Sequence, residues 1–167
     1  MKLTNEQKQL ITKEFSEFKE HMYAGKTIEE RKKLDQFFTP PSICIQMIES
    51  TDYETLSGER ILDPTCGSGN LLVACLIAGA DSDKVFGNEL DKTMLTACRK
   101  RLNKICQQLG KPEVPYHHLH QGDATNPKCL TTFSSAYKWK PKEEQTKEEQ
   151  LEDALDDMLA LFMGGDY

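Results

Sequence analysis

The run Asp63-Pro64-Thr65-Cys66-Gly67-Ser68-Gly69-Asn70-Leu71-Leu72 constrains this chain more than any other stretch. It follows the short apolar pair Ile61-Leu62 and opens an apolar segment from Asn70 to Ala80, so the pattern predicts a strand, a glycine-rich turn and a helix. Two glycines permit a tight turn with close backbone approach to a ligand, and the helix start offers unpaired N–H groups. The acid at the strand end, Asp63, asks for a positively charged partner. Leu72 stands where a nicotinamide-binding fingerprint places its third glycine, which argues against that class of site.

The same alternation continues. Val85 and Phe86 predict a second strand leading into a helix from Lys92 to Leu109, and Tyr116 to His120 predict a third strand ending at Gln121-Gly122-Asp123. Strands alternating with helices mean a parallel sheet with crossover helices, so the expected fold is α/β and Rossmann-like. About 20 residues separate the glycine turn from the acid at the end of the second strand, the spacing of a nucleotide-binding unit. That places Glu89 as the acceptor for two ribose hydroxyls, with Leu90 against the base.

Before the sheet, Thr4 and Gln7 form a capping-box signal, and Leu10, Ile11, Phe15, Phe18 and Met22 recur at helical spacing up to a stop at Gly25. Thr27 with Glu30 starts a short charged helix through about Leu34, and Pro41 can open another to about Ser50. Residues 1–50 are thus expected to be a helical segment packing on a core of residues 51–140. From Glu143 an amphipathic helix carries Leu151, Leu155, Met158, Leu159 and Phe162 on one face, making 141–167 an acidic terminal element. The net charge of −6 speaks against simple duplex binding, but nine acids and two lysines fall in 141–167 and leave a nearly neutral body. No stretch reaches the roughly 18–20 apolar residues of a membrane span, so a soluble, cytoplasmic protein is expected.

Taken in order, Phe37-Phe38-Thr39-Pro40, DPTCGSGNLL, GNELD and Gly122-Asp123-Ala124 resemble the motifs of adenine-specific DNA methyltransferases, particularly those related to type I restriction-modification methylation subunits. The resemblance covers about residues 30–125. It implies a Rossmann-like methyltransferase fold and S-adenosylmethionine as cofactor. By position it implies Phe38, Thr39 and Pro40 beside the cofactor, and Asp63 on its amino group. Thr65, Gly67, Ser68, Gly69 and Asn70 would lie around its methionine chain, Glu89 on the ribose and Leu90 at the adenine. Asp123, followed by Ala124, would accept from the adenine amino group. The family's catalytic motif, Asn or Asp, two prolines and an aromatic, does not occur in these 167 residues. Its chemistry needs an oxygen and a carbonyl to localise the amino lone pair of adenine, and an aromatic to stack a flipped base. Asn126-Pro127-Lys128 comes nearest, only three residues after Asp123 and without the second proline or the aromatic. The catalytic residues are therefore unassigned, and the sheet is expected to be shorter than the usual seven strands.

Other clusters read as structural. His117, His118 and His120 alternate along the expected third strand and lack acidic or cysteine partners at metal-ligand spacing, so no metal is expected. The six cysteines form no CxxC pair and read as small buried hydrophobes, Cys66 included. Arg99, Lys100, Arg101 and Lys104 read as a solvated helix face rather than phosphate contacts. Three functional readings remain. One is an enzyme part whose DNA contacts come from a longer parent or a partner chain, as in a restriction-modification subunit. Another is a non-catalytic cofactor-binding or interaction module of phage or mobile-element kind, with self-association as a further option. The third is an acidic interaction protein that uses its tail, with the cofactor pocket vestigial.

Overall fold

The computed structural model describes residues 2–22, 38–52, 56 and 58–126. The expected stop at Gly25, the helix 27–34, the segment 131–140 and the terminal helix lie outside these residues, as do Cys129 and Pro127.

Three described strands, β1 (Ile61–Asp63), β2 (Val85–Glu89) and β3 (Leu119–Gln121), form a parallel sheet in the order β1-β2-β3. Ile61 pairs with Val85 and Asp63 with Gly87, while Gly87 pairs with Leu119 and Glu89 with Gln121. All strands run the same way, so their carboxyl ends, with Asp63 and Glu89, lie along one rim of the sheet. β2 is central, and Val85 to Asn88 are buried, as a strand covered on both faces must be.

Four described helices complete this part of the chain: α1 (Asn5–Met22), α2 (Pro41–Glu49), α3 (Asn70–Ala78) and α4 (Lys92–Gln108). Every residue of α3 except Leu71 is buried, because α1 and α2 cover the side turned away from the sheet and α4 packs beside it. A helix with no charged residue and no polar face is stable only in such a setting. The capping box at α1 forms as expected: Gln7 N donates to Thr4 Oγ1 at 3.2 Å, and Thr4 N to Gln7 Oε1 at 2.9 Å. Gln7 Nε2 also donates to Ile77 O at 2.9 Å, so the start of α1 satisfies the end of α3. Lys8 pairs with Glu49 at 2.7 Å, and Lys104 with Glu14 and Glu17 at 3.0 and 3.1 Å, tying α1 to α2 and to α4. The α3 helix stops at Ala78, two residues before the expected end, where Gly79 takes a φ of 123°. The five described cysteines are free and buried, as read from the sequence.

The third strand is displaced from its expected position. Tyr116–His118 form a 3₁₀ turn, and β3 begins only at Leu119. The reason is His118, which is fully buried, stacks on Phe86 at 3.9 Å and sets Nδ1 3.2 Å from Val85 O. Strand alternation therefore does not separate the histidines: His117 meets the His118 ring edge-on at 4.6 Å. Burial, with the charge of His117 adding to it, depresses the His118 pKa from 6.5 to about 3. The unfolded chain takes up this proton near its ordinary value and the folded protein does not. Stability is thus complete above about pH 6.5 and is lost as pH falls toward 3. Urea unfolding at pH 7 and pH 5 should differ by about 2 kcal/mol from this group. In His118→Phe, which keeps the stack, that part of the slope should vanish.

Candidate functional site

At the rim of the sheet the chain leaves β1 and turns through Pro64–Gly69 into α3. The turn is closed by Cys66 N donating to Asn88 O at 2.8 Å and Gly69 N to Cys66 O at 2.7 Å. Gly67 and Gly69 take φ of 54° and 82°, values that cost other residues strain. Gly69 is the residue before α3, and its α-carbon faces Cys98 of α4 so closely that a Cβ would sit 2.6 Å from Sγ.

Phe38, Thr39, Asp63, Thr65, Gly67, Ser68 and Asn70 line one cleft together with Cys66 and Leu71. The enclosed space is about 30 Å³, enough for the end of a ligand and not the whole of one. Asp63 Oδ1 accepts from Thr65 N at 3.1 Å. Burial is the main cause that raises the Asp63 pKa, the Thr65 bond works against it, and the nearby charge of Glu89 adds to the rise. A half-buried carboxylate next to a second one is a site that gains from a cation.

Glu89 sits at the margin of the same cleft. Its Oε2 accepts from Gly67 N at 2.8 Å and its Oε1 from Asp91 N at 2.9 Å. A carboxylate has about four acceptor positions, so these two bonds orient Glu89 and leave capacity for hydroxyl donors. Asp91 caps α4, accepting from Thr93 N at 2.7 Å and Met94 N at 3.3 Å.

The other expected residues do not line the cleft. Pro40 is exposed and opens α2. Leu90, 66% exposed, follows β2. Asp123 is exposed beyond β3, where Thr125 N and Oγ1 donate to its Oδ1 and hold its carboxyl below the usual range. Ala124 is half-buried beside it. Gly69 is buried against Cys98.

Two residues escaped the sequence reading. Asn88, 3% exposed, donates from Nδ2 to Pro64 O at 3.0 Å and Gly122 O at 2.9 Å, while its Oδ1 lies 2.9 Å from His120 Nδ1. One amide thus ties together the ends of all three described strands, and with them Asp63, Glu89 and Asp123. A buried polar group needs such partners, and an asparagine directly after the run Val85-Phe86-Gly87, within the expected strand end, was the available signal. The second is Arg101. The basic cluster on α4 is a solvated face only at Lys100 and Lys104, which are exposed: Arg101 is 6% exposed, and Arg99 donates to Tyr116 O at 2.7 Å with its guanidinium over the Tyr116 ring. Lys104 is bound to Glu14 and Glu17. Positions 94, 98, 101 and 105 share the buried stripe of α4, so the helix period itself turns Arg101 inward.

A larger groove of about 590 Å³ lies elsewhere, among Ile43, Met47, Leu56, Ile61, Leu71 and Cys75. Its walls are mainly apolar, with Glu59 and Arg60 among them, and it lacks the strand-end acids Asp63 and Glu89. Among the described residues no group of acids, cysteines and histidines could hold a metal ion, and no helix is long and apolar enough to cross a membrane.

The chain is 33% identical over 79 residues to modification methylase CviBIII of Paramecium bursaria Chlorella virus NC1A, which covers 46% of this chain and 21% of that protein. It is 37% identical over 70 residues to the ribosomal protein L11 methyltransferase of Vibrio campbellii, covering 41% of this chain and 22% of that protein. It is 28% identical over 76 residues to the type II methyltransferase M.VspI of a Vibrio species, covering 46% and 18%. The chain therefore spans about a fifth of the length of the curated relatives it matches. No solved structure matches it. The model of the N-6 DNA methylase family matches residues 10–126, from α1 through the whole described sheet to the turn after β3. That span is most of the chain and contains every element of the cleft, and by it this α/β protein belongs to the N-6 DNA methylase family.

Proposed function

We propose that the cleft binds S-adenosylmethionine and that the chain is the cofactor-binding part of a DNA adenine methyltransferase-like protein. The observation that carries this reading is the half-buried Asp63 carboxylate, its pKa raised by partial burial and by Glu89, facing a cleft lined by a positive-φ glycine turn. Such a carboxylate fits an ammonium group. Gly67 faces the Phe38 ring, and an added Cβ there would be in ordinary contact with it at 3.9 Å, so the glycine keeps the turn open beside the aromatic wall. Glu89 has acceptor capacity left for ribose hydroxyls, and Leu90 and Asp123 stand at the neighbouring strand ends for the base.

When bound, the cofactor supplies a methyl group activated by a sulfonium. Asp63 would hold the amino group, Glu89 would fix the ribose, and the glycine turn with Phe38 and Thr39 would enclose the chain between them. Acceptance of the adenine amino protons is a task for the Asn/Asp-Pro-Pro-aromatic motif, which these 167 residues lack. DNA contacts and transfer are therefore assigned to a longer parent or a partner chain. The missing motif also supports a second reading, a non-catalytic cofactor-binding module.

Titration calorimetry with S-adenosylmethionine should give one site per chain, and no heat at millimolar ligand would reject both readings. Labelled methyl transfer to adenine-containing DNA should be absent with this chain alone. Its appearance on adding a second polypeptide would favour the split enzyme, and transfer by the chain alone would refute the module.

A further inference from the structure

Arg101 lies behind the cleft, on the buried side of α4. Its Nη1 donates to Asn70 Oδ1 at 2.6 Å and to Ser68 O at 2.8 Å, with Ser68 Oγ at 3.4 Å. Its guanidinium lies 4.2 Å from the centre of the Phe18 ring of α1, a cation–π contact. Asn70 in turn donates from Nδ2 to Thr39 O at 3.1 Å. These contacts form a continuous chain from the N-terminal helix, through α4 and the glycine turn, to the Phe38–Pro40 segment.

The chemistry of the chain gives it a direction. An asparagine amide has a donor end and an acceptor end, and its two orientations fit equally well until a neighbour selects one. A guanidinium only donates, so it accepts Oδ1 as partner and refuses Nδ2. With Oδ1 turned to Arg101, Nδ2 must face Thr39 O. Among the described residues no carboxylate bonds Arg101 directly, and the hydrogen bonds it makes there, all from Nη1, go to the turn and to Asn70.

We propose that Arg101 is a positioning residue of the cofactor site: by fixing the Asn70 amide it holds the Phe38–Pro40 wall against the glycine turn, where the amino-acid end of the ligand sits. The inference rests on the cofactor reading above and adds which part of the ligand Arg101 governs. Arg101 does not touch the ligand.

The test uses the full 167-residue chain and two ligands. S-adenosylmethionine carries the amino-acid end, and 5′-methylthioadenosine carries only the adenosyl part. Arg101→Met keeps an apolar stem against Phe18 and removes the donors. It should weaken S-adenosylmethionine at least tenfold and leave 5′-methylthioadenosine within about twofold. Arg101→Lys should recover part of the loss. Asn70→Asp keeps an acceptor for Arg101, now as an ion pair, and removes the donor to Thr39 O. It should reproduce the selective loss without a fall in Tm, and so decides the matter if Arg101→Met does not fold. Equal losses for both ligands, or no loss for either, would overturn the proposal.

If the wild-type chain binds neither ligand, the cofactor reading fails separately, and the positioning claim is then decided by NMR of the free protein. The Asn70 side-chain amide protons should exchange slowly in wild type and faster in Arg101→Met. Equal exchange would overturn it.

Discussion

Asp63→Asn is expected to raise the melting temperature of the ligand-free protein while weakening S-adenosylmethionine binding by about ten- to a hundredfold. The two effects have one cause. In the free protein a carboxylate is held in a half-buried position close to the charge of Glu89, and both conditions raise its pKa. Asparagine keeps the shape and the oxygen that accepts from Thr65 N, but carries no charge to desolvate. It therefore relieves the free state. In the bound state it loses a charge-assisted hydrogen bond to an ammonium group, worth about 1.5–3 kcal/mol, which is the affinity loss stated.

The pH dependence follows from the same shift. Because the folded pKa is raised, the folded protein holds the Asp63 proton more tightly than the unfolded chain. The contribution of this group to stability is greatest at low pH and declines as pH rises from the ordinary aspartate value to the raised one. Ligand affinity runs the other way. Below the raised pKa a proton must leave before the ammonium can pair, so affinity falls as pH falls, starting above the ordinary aspartate range. Calorimetry from about pH 7 down to about pH 4 should show that decline in wild type and its absence in Asp63→Asn. A variant that binds as tightly as wild type would remove Asp63 from the site.

Gly69→Ala should cost about 2–4 kcal/mol of folding stability by urea denaturation, combining about 1–2 for a left-handed non-glycine residue with about 1–3 for overpacking. Gly69 has a φ of 82°, and an added Cβ would lie 2.6 Å from Cys98 Sγ and 3.5 Å from Cys98 Cβ. Cys98 is fully buried, so it has little room to withdraw. Adding Cys98→Ala should restore the overpacking part and leave the backbone part, a separation that a double-mutant cycle measures. Binding should suffer more than stability, because Gly69 sets the direction in which Gly67 and Asn70 leave the turn. A Gly69→Ala protein within about 0.5 kcal/mol of wild type would mean that the turn does not have this geometry.

Some of this protein was determined by its sequence alone, because the physics involved acts over a few residues. The Thr4–Gln7 cap, the opening of α2 at Pro41, the glycine turn and the order of strand and helix from Ile61 to Gln108 rest on neighbours within about one helical turn or on a periodic pattern. So does the grouping of Asp63 and Glu89, since parallel strands joined by crossover helices present their carboxyl ends along one rim. Only the tertiary structure decided what depends on contacts made far along the chain. The third strand begins at Leu119 because His118 packs on Phe86 and Val85, some thirty residues earlier. Arg101 is buried because Ser68, Asn70 and Phe18 converge on it from two other elements. Asn88 joins three strand ends that are separated in sequence. A local pattern specifies which face of a segment is apolar, but the partner of a buried polar group is known only once the chain has closed around it.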